Sequence, residues 1–261
     1  MEKKILYLAV FVVIIAVAAL AYTSFFSQKS TSGLDGQVGA QVSQSFLSKM
    51  NVPSSVSNKI GAGAVSNPPF KINSSVLYNG TKPMVVYIGA DYCPYCAITR
   101  WGLIVALQRF GNFSNIKYMA SNATDVYPNT PTFTFYNSTY QSNYVQFQAV
   151  ETVARNEQQA LQTPTSFQNL LISTYDPKGG IPFVDFANLS IQDGAPATPQ
   201  VLDGYNWSEI ASNLTNVNSS MSQTIVGMAD VYTAEICRAT NMTPQSVCSQ
   251  PYVAKLLKTL A

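Results

Sequence analysis

The stretch from Met84 to Trp101, MVVYIGADYCPYCAITRW, constrains this chain more than any other. Met84 to Ile88 is an apolar run that reads as a buried strand. Gly89 to Tyr92 reads as a turn, and Pro94 to Phe110 as a helix with apolar residues at helical spacing. Pro94 suits the first helical position, where a missing amide hydrogen loses no bond. Cys93 then falls at the N-cap, beside free amides and the positive end of the helix dipole, which favour an anion and lower a thiol pKa.

Three readings of Cys93 and Cys96 follow. A Cys-x-x-Cys pair is half of a zinc site, but the chain has no histidine, and Cys237 and Cys248 are too far apart to form a second close pair. A structural disulfide across so small a loop recovers little chain entropy. The strand-turn-helix context favours redox work. The absence of histidine also excludes hydrolases that use it as a base and metal sites that use it as a ligand. No metal or other cofactor is expected, because a dithiol carries the electrons itself.

The segment YIGADYCPYCAITRW resembles the active site of the thioredoxin superfamily, and its Pro94–Tyr95 centre is similar to the glutaredoxin motif. Together with RFGNF, DVYPNTPTFTFYN and GGIPFVDFAN, the run from about residue 45 onward resembles an uncharacterised archaeal family of membrane-anchored thioredoxin-like proteins, domain of unknown function 929. The resemblance implies a thioredoxin-like α/β fold and a thiol-disulfide oxidoreductase acting on protein thiols or disulfides. It implies Cys93 as the attacking thiol, Cys96 as the resolving one, and an Ile181–Pro182 bond that is cis and lies against the cysteine pair. Tyr92, Asp91, Pro94, Tyr95 and Ile181 stand as supporting residues. Two departures bear on efficiency. Tyr87 stands where thioredoxins carry a buried acid, and Asp91, when ionised, opposes a Cys93 thiolate. Glutathione-binding residues are not matched. The alternative is a thioredoxin-fold surface interaction or scaffold protein with little or no redox turnover.

Around this centre the chain reads as one extracytoplasmic domain, residues 45–261, on a tether, residues 27–44, behind a membrane segment, residues 1–26. The uncharged run Ile5–Tyr22 spans about 27 Å as a helix, enough to cross a bilayer once. Lys3 and Lys4 then stay in the cytoplasm and the domain faces outward. A cleaved signal peptide ending near Ala19–Leu20–Ala21 is the competing reading.

Val42 to Met50 predicts a short helix, and Ile116 to Met119 the second strand of a parallel βαβ unit. Thr132–Tyr136 and Tyr144–Val150 predict an inserted hairpin. Thr165–Thr174 reads as a helix, Ile181–Phe186 as a strand, and Trp207–Leu214 and Gln223–Thr240 as extra C-terminal helices. Cys237 and Cys248 read as a bridge stapling the last elements in an oxidising compartment, or as a second dithiol exchanging electrons with the first.

The net charge of +2 gives no electrostatic case for nucleic acid. Charged residues make up only 11%, and ten Asn-x-Ser/Thr sequons run from Asn73 to Asn241. Both features fit an exported surface, through an acidic exterior or through glycosylation.

Overall fold

The computed structural model describes residues 34 and 36–260. The expected membrane segment, and the tether up to residue 33, lie outside the described residues. Among the described residues no helix is long and apolar enough to cross a membrane. Packing begins earlier than the expected end of the tether. The Gly39 amide donates to Tyr118 O at 2.8 Å, the Val42 amide to Ile116 O at 2.9 Å, and Val42 is buried. An apolar side chain with a pocket to fill holds this segment to the domain. The short helix α1 (Gln44–Lys49) follows, its N-terminus capped by the Ser43 side chain on the Phe46 amide, and then α2 (Ser54–Ile60).

After two short strands, β1 (Phe70–Lys71) and β2 (Tyr78–Asn79), strand β3 (Lys82–Gly89) forms the centre of a mixed sheet. The chain then enters α3 (Pro94–Leu107), passes through β4 (Gly111–Ser114), β5 (Lys117–Ala120), β6 (Pro131–Thr134) and β7 (Thr139–Ser142), and returns as β8 (Gln146–Glu151). β8 lies parallel to β3, from Met84 opposite Gln146 to Gly89 opposite Glu151. Helix α4 (Ser166–Tyr175) opens with a capping box between Thr165 and Gln168. It leads to β9 (Phe183–Phe186), antiparallel to β3, and β10 (Ser190–Asp193), antiparallel to β9. α5 (Trp207–Asn213), α6 (Ser220–Ala239), α7 (Gln245–Cys248) and α8 (Pro251–Thr259) complete the chain.

Two expectations fail. The strand after α3 does not join β3. β5 pairs antiparallel with β6 in a separate two-stranded sheet, and β8 takes the parallel place beside β3. The expected hairpin is absent for the same reason, since β6 goes to β5, β7 to β4 and β8 to β3. The buried interior of β3 requires a long partner. β5 offers four residues and points Lys117 at solvent, whereas β8 pairs along almost the whole of β3.

The alternation of β3 sorts its side chains onto two faces. Met84, Val86 and Ile88 pack with Val150, Phe183, Ile191 and Leu171 of α4. Tyr87 faces the other way, against Phe135 and the Arg100 guanidinium of α3, and on that face Phe186 of β9 meets Tyr232 of α6 at 5.1 Å between centroids. Every residue of α3 except Tyr95 is buried. α6 covers α3 closely, for a Cβ on Gly102 would come within 2.9 Å of Met228 Cβ. The buried Asp230 of α6 pairs with Arg109 at 2.7 Å and ties this helix to the end of α3.

Candidate functional site

The loop between β3 and α3 is clamped on both sides. The Thr152 amide donates to Gly89 O at 2.8 Å, the Asp91 amide to Val153 O at 2.9 Å, and the Asn122 amide to Tyr92 O at 2.8 Å. Cys93 takes the N-cap of α3 in an extended conformation with Pro94 directly after it, as the sequence predicts. Its Sγ accepts the Cys96 amide hydrogen at 3.2 Å. Both thiols are free, yet they differ in access: Cys93 is 6% exposed and Cys96 not at all. Tyr95, 38% exposed, stands at the rim with its ring edge-on to Tyr127 at 5.8 Å.

The two sulfurs are also driven apart in acidity. The hydrogen bond from the Cys96 thiol lowers the Cys93 thiol below its ordinary value. Burial opposes this, while the Cys96 amide and the Arg100 charge reinforce it. Burial pushes Cys96 well above the ordinary thiol value, and the neighbouring Cys93 adds to the rise. At the start of one helix, the more accessible sulfur is thus the one poised to ionise.

Beneath the pair lies a buried charge cluster that the sequence reading does not contain. Arg100, one helical turn beyond Cys96, donates from Nε to Glu151 Oε1 at 2.8 Å, and from Nη2 to Glu151 Oε2 at 2.7 Å and Ala90 O at 2.6 Å. Burial raises Glu151 to about 7, against the pull of Arg100. Two signals could have found the cluster: one arginine in an otherwise uncharged helix, and an acid following Ala149 and Val150 at the end of β8.

Asp91 belongs to the same cluster. It is 3% exposed, and its Oδ1 sits 3.7 Å from Arg100 Nη2. Burial raises its carboxyl, with Arg100 and Thr134 opposing. Asp91 is therefore matched by a cation.

The Ile181–Pro182 peptide is cis. Ile88 pairs with Phe183, so Pro182 falls one residue further along the β9 backbone, at the level where Gly89 leads into the cysteine loop. Cys237 and Cys248 are bonded, with Cα atoms 5.5 Å apart, and both are fully buried where α6 meets α7. Among the described residues no cluster of three His, Cys, Asp or Glu side chains could hold a metal ion.

The fold and site thus define a mixed α/β protein whose central strand delivers a free dithiol to the N-terminus of a buried helix. Residues 68–238, the greater part of the chain, match the family described as a domain of unknown function (DUF929), and the chain belongs to that family. No curated protein and no solved structure matches it.

Proposed function

We propose that the chain is a thioredoxin-like thiol-disulfide oxidoreductase, held by its N-terminal segment on the outer side of the cell membrane and acting on protein disulfides. The observation that carries this reading is the inequality of the two sulfurs. Cys93 accepts an amide hydrogen at a helix N-terminus, whereas Cys96 is sealed beneath it. The strand-loop-helix order, the antiparallel β9 beside β3 and a proline directly before β9 support the thioredoxin-like assignment. The buried Cys237–Cys248 bond supports an oxidising compartment, and Lys3 and Lys4 before an apolar run support the orientation.

In the reducing direction the Cys93 thiolate attacks a substrate disulfide, and one substrate sulfur leaves as a thiolate. Cys96 then attacks the mixed disulfide, releasing the second substrate sulfur and leaving Cys93 and Cys96 bonded. Pro182 shapes the groove that receives the substrate chain. A stabilised Cys93 thiolate favours the reduced pair, so the disulfide form is a good oxidant and the chain works as a disulfide donor.

Turnover tests this. The full chain in detergent, with its active-site pair oxidised, should transfer a disulfide to a reduced dithiol peptide, and Cys93→Ser should abolish transfer. Cys93 should alkylate with a pKa below about 8.5. A chain that binds peptide but exchanges no disulfide is an interaction protein instead.

A further inference from the structure

Tyr87 is fully buried on β3, and its hydroxyl has no hydrogen-bond partner. Phe135, edge-on at 5.2 Å between centroids, and the Arg100 guanidinium, 5.8 Å from the ring centroid, fix where that hydroxyl lies. It lies in the space that a Cβ on Gly89 would take. Tyr87 Oη would overlap such a Cβ, and Cys96 Sγ would stand 3.1 Å from it. Phenol oxygen and buried sulfur thus border one small space, which a glycine keeps open. Arg100 Nη1, on the residue one turn beyond Cys96, is a second buried donor without a partner. An unmatched phenol donor bordering a sulfur that becomes a strong acceptor only on losing its proton points to a second state of the site. A buried donor left unmatched destabilises the fold, and a nearby thiolate relieves that.

We propose that the Tyr87 hydroxyl is the hydrogen-bond donor that stabilises the Cys96 thiolate while this sulfur resolves the mixed disulfide, an inference that rests on the redox reading above. In that step a bond forms between Cys96 Sγ and Cys93 Sγ as the bond from Cys93 Sγ to the substrate sulfur breaks. The bonding pair leaves on the substrate sulfur, which takes up the proton that Cys96 released. Two electrons pass from the dithiol to the substrate. Tyr87 keeps its own proton throughout, because burial holds its phenol well above its ordinary value. Of the other groups facing this pocket, the Arg100 charge from α3 favours the Cys96 thiolate; Cys93 opposes it in the reduced pair but carries no charge once its sulfur is bonded to the substrate. Glu151 from β8 bears on the Tyr87 phenol, and Asp91 on Arg100. The phenol hydroxyl is free to rotate towards Cys96 Sγ as charge develops there.

Tyr87→Phe keeps the ring and removes only the oxygen. With an aromatic thiol loaded on Cys93 of the full chain, its release reports the attack by Cys96. The expected result is release slowed roughly tenfold at neutral pH, the effect of raising the Cys96 pKa by about one unit, with Cys93 alkylation in the reduced protein unchanged. Release at the wild-type rate, or equal slowing of Cys93 alkylation, overturns the proposal. If the variant does not fold, the Tyr87 Cζ resonance of the wild-type reads the same contact: it should shift when Cys96 is oxidised, and a resonance blind to that change overturns the proposal. Aromatic-thiol release needs no protein substrate. A chain that shows the tenfold effect but oxidises no peptide keeps the Tyr87 contact and loses the redox function.

Discussion

Arg100 and Glu151 meet through two parallel hydrogen bonds, 2.8 Å and 2.7 Å long, and neither side chain reaches solvent. A pair closed in this way holds α3 against the end of β8, directly below the cysteine loop. Removing one partner strands the other charge in the interior. Arg100→Met should therefore destabilise the domain by about 3–5 kcal/mol, and the double variant Arg100→Met/Glu151→Leu should recover much of that loss. Urea unfolding of the two variants reads the difference. A double variant as unstable as the single one shows that the arginine acts through packing and not through its charge.

The parts of this site that are near in sequence were legible in it, and the parts that meet across the fold were not. Cys93 at the N-cap follows from an apolar run, a short turn and Pro94, all within one stretch. The helix Ser166–Tyr175 was equally local, announced by Thr165 with Gln168 three residues on. Which strand lies beside β3 was not local. Ile116–Met119 and Tyr144–Val150 both mix apolar and polar residues as a strand would, and the choice depends on how much of β3 each can cover. The Arg100–Glu151 contact joins residues 51 apart, and no periodicity in either element points to the other.

The N-terminal boundary gives a second test. Tyr118 accepts from Gly39 at 2.8 Å and donates to Ala40 O at 2.9 Å, while Val42 fills a buried site and Ser43 caps α1. A fragment starting at Gln37 keeps all four contacts. One starting at Ser45 loses a buried valine, about 1.5–3 kcal/mol, and a cap of roughly 1 kcal/mol. Thermal unfolding should rank the longer fragment clearly above the shorter. Equal melting temperatures would mean that residues 37–44 contribute nothing to stability.

Two classes of disulfide should separate under graded reductant. The Cys237–Cys248 bond is buried at both sulfurs, whereas an oxidised active-site pair can be approached through Cys93. Mass mapping should find the Cys93–Cys96 bond open first, with Cys237–Cys248 intact. Replacing both C-terminal cysteines by alanine opens a loop with a sequence separation of 11, and by chain entropy it should lower stability by about 3 kcal/mol. Simultaneous opening of both bonds would favour electron exchange between them over a purely structural staple.

Asp185 makes the fold sensitive to pH. It is fully buried on β9, its Oδ1 accepts the Asn188 amide at 2.6 Å, and its Oδ2 has no partner. Burial raises its carboxyl to about 7, with only the Asn188 hydrogen bond opposing. A folded-state pKa above the unfolded value of about 3.9 means that the native chain holds a proton the unfolded chain gives up. The stability this provides is complete below about pH 4 and is lost as the pH rises through about 7, on the order of 4 kcal/mol across that window. Glu151, at about 7, and Asp230, at about 6, act with the same sign. The domain should therefore be more stable in mild acid than at pH 8. Asp185→Asn removes the titrating group and keeps the side-chain shape, so urea unfolding at pH 4.5 and pH 8 should show a shallower slope in the variant. An unchanged slope would assign the pH dependence to Glu151 and Asp230, each of which lies 2.7 Å from an arginine.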